Sequence, residues 1–237
     1  MTAINARAAD TLHNGGMYFH DRHDAGRQLA KALTRYRDQP DGLVLGLPRG
    51  GALVAYEVAR ALRLPMDLMI VRKLGAPGHA ELAIGAIGEG GHAILNQDVI
   101  KSLGVTEAAI RQIVAAETAE IARRVQLYRH GAPTPSLTGR TVILVDDGCA
   151  TGADMRAAVL AAAAHKPKRL VVAVPVVSGP AHNLLVQSAP FTAYEVVSLA
   201  APSPFYSVGQ YYGDFHQCSD QEVLDLMIEA RKEQHHD

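Results

Sequence analysis

Short apolar runs and longer segments of helical spacing alternate along this chain. Leu43 to Leu47, Met66 to Val71, Thr141 to Asp146, Leu170 to Val177 and Tyr194 to Leu199 are rich in β-branched and bulky residues, the pattern of parallel strands covered on both faces. Between them, Asp21 to Arg37, Ala52 to Leu62, Asp154 to Ala164 and Pro180 to Gln187 carry helical spacing. Pro180 suits a first helical turn, and Pro167 stops the helix before it. Strands that alternate with helices predict an α/β fold built on a doubly wound parallel sheet. Leu82 to Ile87 and His92 to Leu95 flank Glu89, Gly90 and Gly91 and predict a hairpin. Thr106 to Arg129 has neither Gly nor Pro and keeps Ile110, Ile113, Val114, Ile121, Val125 and Tyr128 at roughly helical intervals. That helix either packs on the core or serves as a dimer contact. Ser219 and Glu222 form a capping box for a last helix, Asp220 to Lys232.

Composition narrows the partners. The 237 residues are ample for a sizeable core. With 23 basic and 24 acidic side chains the chain has no general basic field for nucleic acid or an anionic membrane. No run approaches the ~20 apolar residues of a membrane span, and the segment MTAINARAAD lacks a signal-peptide core. Cys149 and Cys218 give no disulfide framework, so a cytoplasmic, reducing setting is expected.

The most chemically loaded stretch is VILVDDGCATGA, Val142 to Ala153. A buried strand emerges at the carboxyl edge of the sheet, where ligands of such folds bind. Asp146 and Asp147 follow at once, then Gly148, Cys149, Ala150, Thr151 and Gly152 lead into a helix. Free amides and the helix dipole at that point favour a phosphate. The two carboxylates would repel it, so they face hydroxyls or a hard cation instead. The combination describes a sugar phosphate. Upstream, Leu43 to Leu47 runs into the turn PRGG, Pro48 to Gly51, and Arg49 and Gly50 there suit a phosphoryl group unless Arg49 merely faces solvent. After the next strand comes VRKLGAPG, with Arg72 and Lys73 at its start.

VILVDDGCATGA resembles the 5-phosphoribosyl 1-pyrophosphate (PRPP) motif of the type I phosphoribosyltransferases. Together with FHDRHDAGRQLA, PRGG, VRKLGAPG and VGQYYGDF, it is similar over most of the chain to a bacterial group of these proteins whose acceptor is undefined. The resemblance implies one domain over residues 1–237, with a core over about 18–200, a helical insertion over about 97–130 and a hood over about 200–237. It implies ribose and 5′-phosphate binding by Asp146 to Gly152, with Asp146, Asp147 and Lys73 as the catalytic set. It places pyrophosphate on Arg49, Gly50, Arg72 and Lys73, with an unusual peptide geometry at the PRGG turn. Mg²⁺ is implied as cofactor, carried by PRPP and touching Asp146 and Asp147 if it touches the protein at all. The Gly-rich stretch Gly75 to Gly91 corresponds to a closing loop that shields an oxocarbenium-like centre from water. Its acids, Glu81 and Glu89, either take a proton from the acceptor or face solvent, the latter being favoured.

The implied partners are PRPP and a nucleobase or other small nitrogen acceptor, in a homodimer. Phe205, Tyr211, Tyr212 and Asp214 correspond distantly to a base pocket of the 6-oxopurine enzymes, although these aromatics equally suit a cap on the core. Ala150 stands where those enzymes carry an acid, which leans the other way and leaves the base unread. A regulatory protein that binds PRPP without turnover is the alternative. His20, Asp21, His23 and Asp24 have no convincing zinc spacing and are expected to play a structural or solvent-facing role.

Overall fold

The computed structural model describes residues 18–89, 91 and 93–234. In chain order the regular elements are α1 (Arg22–Ala32), β1 (Gly42–Gly46), α2 (Gly50–Leu62), β2 (Met66–Leu68), β3 (Val71–Ala76), β4 (His79–Gly88) and β5 (Ala93–Leu95). They continue with α3 (Gln97–Leu103), α4 (Glu107–Arg129), β6 (Thr141–Val145), α5 (Ala153–Ala164), β7 (Arg169–Val176), α6 (Gly179–Gln187), β8 (Tyr194–Ala200) and α7 (Asp220–Gln234).

Five strands form one sheet in the order β2-β1-β6-β7-β8, every pair parallel. β1 and β6 are buried along their whole length, which explains their unbroken apolar character. Leu29 of α1, Val58 of α2 and Met227 of α7 belong to the core on one face, while Val159 of α5 and Leu185 of α6 belong to the core on the other. The expected doubly wound α/β architecture is therefore present. Its connections diverge from β1 and β6 to opposite sides, so the switch-point crevice opens at the carboxyl ends of those two strands.

One expected strand divides in two. Met66 to Val71 is not continuous: β2 ends at Leu68, and β3 starts at Val71 in a separate antiparallel sheet, β3-β4-β5. A strand covered on both faces cannot carry the consecutive charges of Arg72 and Lys73, whereas β3 is only half-buried there. The expected hairpin is the β4-β5 pair of this sheet, with β3 as an additional strand. Gly90 and His92, named in that hairpin, lie outside the described residues. The first helix is shorter than its spacing suggests, ending at Ala32 before a 3₁₀ turn, Thr34–Tyr36.

α4 starts as expected, the Thr106 side chain accepting from the Ala109 amide, and buries Ile121 and Tyr128. It packs on the antiparallel sheet. The capping box before α7 also forms: Glu222 accepts from the Ser219 amide at 2.7 Å and its own amide donates back to Ser219 Oγ at 3.2 Å. These bonds, with the neighbouring His216, hold the Glu222 carboxyl down to about 2. No helix among the described residues is long and apolar enough to cross a membrane.

Candidate active site

The turns after β1 and β6 interlock at the switch point. Leu47 extends the β1–β6 ladder by donating its amide to the Val145 carbonyl at 2.8 Å. The Pro48–Arg49 peptide that follows is cis, and α2 begins at Gly50. A Cβ on Gly50 would fall on Asp147 Oδ2, and one on Gly51 would lie 2.8 Å from Asp146 Oδ1 and the Val145 carbonyl. Two glycines in PRGG are thus what lets this turn lie against the acidic pair.

Asp146 and Asp147 differ in their partners. Asp146 Oδ1 accepts the Asp147 amide at 2.9 Å. Asp147 Oδ2 accepts from Arg22 Nε at 2.8 Å. Arg22 is buried, donates Nη1 to the His216 carbonyl at 2.9 Å, and places its guanidinium carbon 3.9 Å from the centre of the Phe215 ring. Tyr212 donates its hydroxyl to the Asp147 carbonyl at 2.6 Å. Burial pushes the Asp146 carboxyl well above its ordinary value, and the charge of Asp147 pushes it further. Burial also raises Asp147, against the opposing pull of Arg22. Two carboxyls that share one buried cation make a site short of positive charge.

The loop beyond them is anchored at one residue and open at the others. Cys149 donates its amide to the Val176 carbonyl and accepts the Ser178 amide, each at 2.9 Å. The amides of Gly148, Ala150, Thr151 and Gly152 have no acceptor among the described residues. Gly152 adopts a left-handed conformation, φ 77°, and delivers the chain into α5. An anion here would meet open amides at the positive end of a 12-residue helix. Cys149, expected among the phosphate contacts, is corrected to a loop anchor: its amide is used and its thiol is buried, with burial raising the thiol's pKa.

Other expected residues fall in different places. Arg49 is half-exposed at the mouth of the crevice, 4.0 Å from Asp220 Oδ1 at the start of α7. Arg72, expected among the pyrophosphate contacts, is directed instead to α4, its Nε 2.6 Å from Glu117. Lys73 lies on the opposite face of β3, in register with Ala86. Glu89 does not face solvent as expected; it pairs with buried Arg129, which also holds Asp67 and the Leu68 carbonyl. The side chain of Glu81 lies outside the described residues.

Among the base candidates, Tyr211 and Tyr212 are buried in a cluster with Phe19, Ala25 and Val176. They therefore cap the sheet edge and offer no free stacking face, because Tyr18 and Phe19 already cover them. Phe205 is half-buried with its ring 5.3 Å from that of Tyr211, and Asp214 is exposed and accepts the His216 amide at 3.0 Å.

The residue that sequence reasoning missed is Arg22, passed over inside the run His20 to Asp24. Of its neighbours, solvent-exposed His20 pairs with Asp21 and His23 pairs with Glu57, each at 2.9 Å. Arg22 was detectable only as the one cation in a run whose next apolar positions, Ala25 and Leu29, fix a buried helix face. Among the described residues no group of three or more His, Cys, Asp or Glu side chains converges on a point. The oxygens of Asp146 and Asp147, one of them already taken by Arg22, fit a divalent cation that brings most of its ligands on a polyphosphate.

Residues 18–197 match the family model described as phosphoribosyl transferase domain, and the chain belongs to this family of transferases. Two Mycobacterium tuberculosis proteins provisionally named phosphoribosyl transferases, Rv0571c and MT0597, are 45% identical over 215 residues, 91% of this chain and 47% of each of theirs. The chain thus spans about half the length of the curated relatives it matches. The crystal structure of TT1426 from Thermus thermophilus is similar at 41% identity and a TM-score of 0.81, covering 90% of this chain and 99% of that one.

Proposed function

We propose that the switch-point crevice binds PRPP and transfers its 5-phosphoribosyl group to a nitrogen acceptor, a nucleobase or another small amine, releasing pyrophosphate. The observation that carries this reading is the juxtaposition of open amides at Gly148, Ala150, Thr151 and Gly152 with two under-neutralised carboxyls at Asp146 and Asp147. The amides hold the 5′-phosphate and the carboxylates hold the ribose hydroxyls, which fixes the anomeric carbon between the two turns. Arg49, the Gly50 amide and Lys73 receive the pyrophosphate. As the bond from the anomeric carbon to pyrophosphate oxygen breaks, the acceptor nitrogen supplies the new bonding pair and gives up its proton to the departing pyrophosphate or to water. Positive charge that grows on the ribosyl ring is stabilised by Asp146 and Asp147 in a low-dielectric setting. Mg²⁺ bound to PRPP would neutralise part of the charge on the departing pyrophosphate. Arg22 is a positioning residue: it fixes the Asp147 carboxyl while its own orientation is set by Phe215 and His216. The β3–β4 turn, Pro77 and Gly78, serves as the cover that excludes water.

Purified protein with labelled PRPP, Mg²⁺ and a panel of purines, pyrimidines and non-base amines tests the reading. Pyrophosphate release with one acceptor class is expected and identifies that class. Tight binding of PRPP without release across the panel would favour a regulatory binding protein, and absence of PRPP binding would remove the assignment.

A further inference from the structure

A cavity of about 270 Å³ lies between the antiparallel sheet and α5, outside the residues assigned to PRPP. All but three of its lining residues are apolar or glycine, among them Ala86, Ile94, Ala157 and Leu160. The three are Asn96, Gln97 and Arg156, so a guanidinium is the one ionised group in its wall. The Nε of Arg156 is shut off from solvent and has no hydrogen-bond partner among the described residues. A donor of a permanently charged group, withdrawn from water and left unpaired, is costly. It finds an acceptor when something occupies the space beside it.

Asn96 narrows what that occupant is. Its Oδ1 accepts the Val99 amide at 3.3 Å as the cap of α3, which leaves its amide hydrogens as the polar atoms it has to offer. With Arg156 and the Asn96 NH2 as donors, and Gln97 able to donate or accept, this apolar space calls for a ligand that accepts hydrogen bonds, carries one negative charge and is otherwise apolar. A hydrated phosphate dianion is a poor match, because a single guanidinium and these apolar walls do not repay its desolvation. We propose that this cavity is a binding site for a compact apolar monoanion, a ring carboxylate in the simplest case, with its carboxylate on Arg156 and its body against Ala86, Ile94, Ala157 and Leu160.

The position links such a ligand to the crevice without being part of it. The Arg156 amide closes the first turn of α5 onto the Gly152 carbonyl at 2.8 Å. On the other wall, Ala86 is the cross-strand partner of Lys73, and Ala83 that of Gly75. An occupant therefore bridges the helix that carries the phosphate loop and the sheet that carries Lys73. The site needs no turnover of PRPP, so its test is independent of the assignment of the crevice.

Calorimetric titration of the whole chain with benzoate, benzamide, benzylamine and inorganic phosphate tests the proposal. Benzoate binds at millimolar concentration or better, benzamide about tenfold more weakly, and benzylamine and phosphate do not occupy the site. Arg156→Met weakens benzoate by about tenfold or more while its melting temperature stays level with or above that of the parent, since an unpaired buried donor has been removed. Benzoate raises the melting temperature of the parent and not of Arg156→Met. Ala157→Leu, which fills the space and keeps the arginine, abolishes benzoate binding; Ile94→Phe replaces it should that variant fail to fold. Equal benzoate affinity in the parent and Arg156→Met, phosphate competing with benzoate, or no benzoate binding at all would overturn the assignment.

Discussion

Two buried arginines each meet acidic side chains, and the two clusters end in opposite states. Arg129, 1% exposed, donates to Asp67 at 3.0 Å, to the Leu68 carbonyl at 2.8 Å, to Thr134 and to Glu89, tying β2, the end of β4 and the end of α4 together. Every direction of that guanidinium fork is occupied by protein. Arg22 instead serves one oxygen of Asp147 and a single carbonyl, and leaves Asp146 without a hydrogen-bonded cation. The consequence shows in the carboxyls: Asp146 and Asp147 are both raised by burial. A saturated cluster holds a fold together, whereas an unsaturated one at a sheet's switch point has capacity left for a ligand.

The most disruptive way to test that contrast is Arg129→Met. It strands Asp67 and Glu89 in a poorly solvated place, and breaking a buried pair from one side costs about 3–5 kcal/mol. Denaturant unfolding should show a loss of that order. A loss under about 1 kcal/mol, the range of solvent-exposed pairs, would mean that the Arg129 cluster is no better neutralised than a surface one.

Asp146→Asn has the reverse signature. Asn keeps the Oδ1 that accepts the Asp147 amide, so the turn retains its bond. It removes the negative charge, and PRPP turnover should fall by about 100-fold or more, as when one electrostatic group of an active centre is deleted. Stability should rise. The folded-state carboxyl of Asp146 lies above its ordinary 3.8, so the native state binds that proton more tightly than the unfolded chain does. Its contribution is fully present below the ordinary carboxylate range and is lost as pH rises through the raised value. At about pH 7.5 the variant should therefore melt above the parent, and the gap should close towards about pH 4. A variant that melts lower at neutral pH would show that Asp146 is a structural residue like Asp67.

Much of this contrast was legible from local patterns, and the rest depends on contacts that no local pattern encodes. Strands β1, β6, β7 and β8 of the parallel sheet, the Asp146 to Gly152 turn and the Ser219 capping box are set by neighbours within a few residues, and each appears close to where its residues predict. Arg22 and Asp147 lie 125 positions apart, and nothing in either segment announces the other. The same holds for Tyr211 and Tyr212, whose place is decided by Phe19 and Ala25 from the other end of the described chain. Composition alone leaves an aromatic tail equally suited to a base pocket or a core cap, and packing with Phe19 and Ala25 selects the cap for these two. Arg72 and Lys73 read as the end of a parallel strand because that strand and the half-buried one after it form one apolar run. The break shows only in the pairing of Met69, whose amide closes the parallel ladder on the Gly46 carbonyl at 2.9 Å.

The smallest effect isolates the hold of Tyr212 on the acidic pair. Tyr212→Phe deletes the hydroxyl that donates to the Asp147 carbonyl and leaves the ring in its cluster with Phe19. One hydrogen bond of this kind is worth about 0.5–1.5 kcal/mol, so unfolding should shift by that amount and no more. Because the bond is to the Asp147 main chain and not to its carboxyl, Arg22 continues to orient the Oδ2 atom. The KM for PRPP should then move less than in Arg22→Met, which frees the carboxylate itself. If the two variants weakened PRPP equally, the turn as a whole would be what Tyr212 positions, and the special place given to Arg22 would pass to Tyr212.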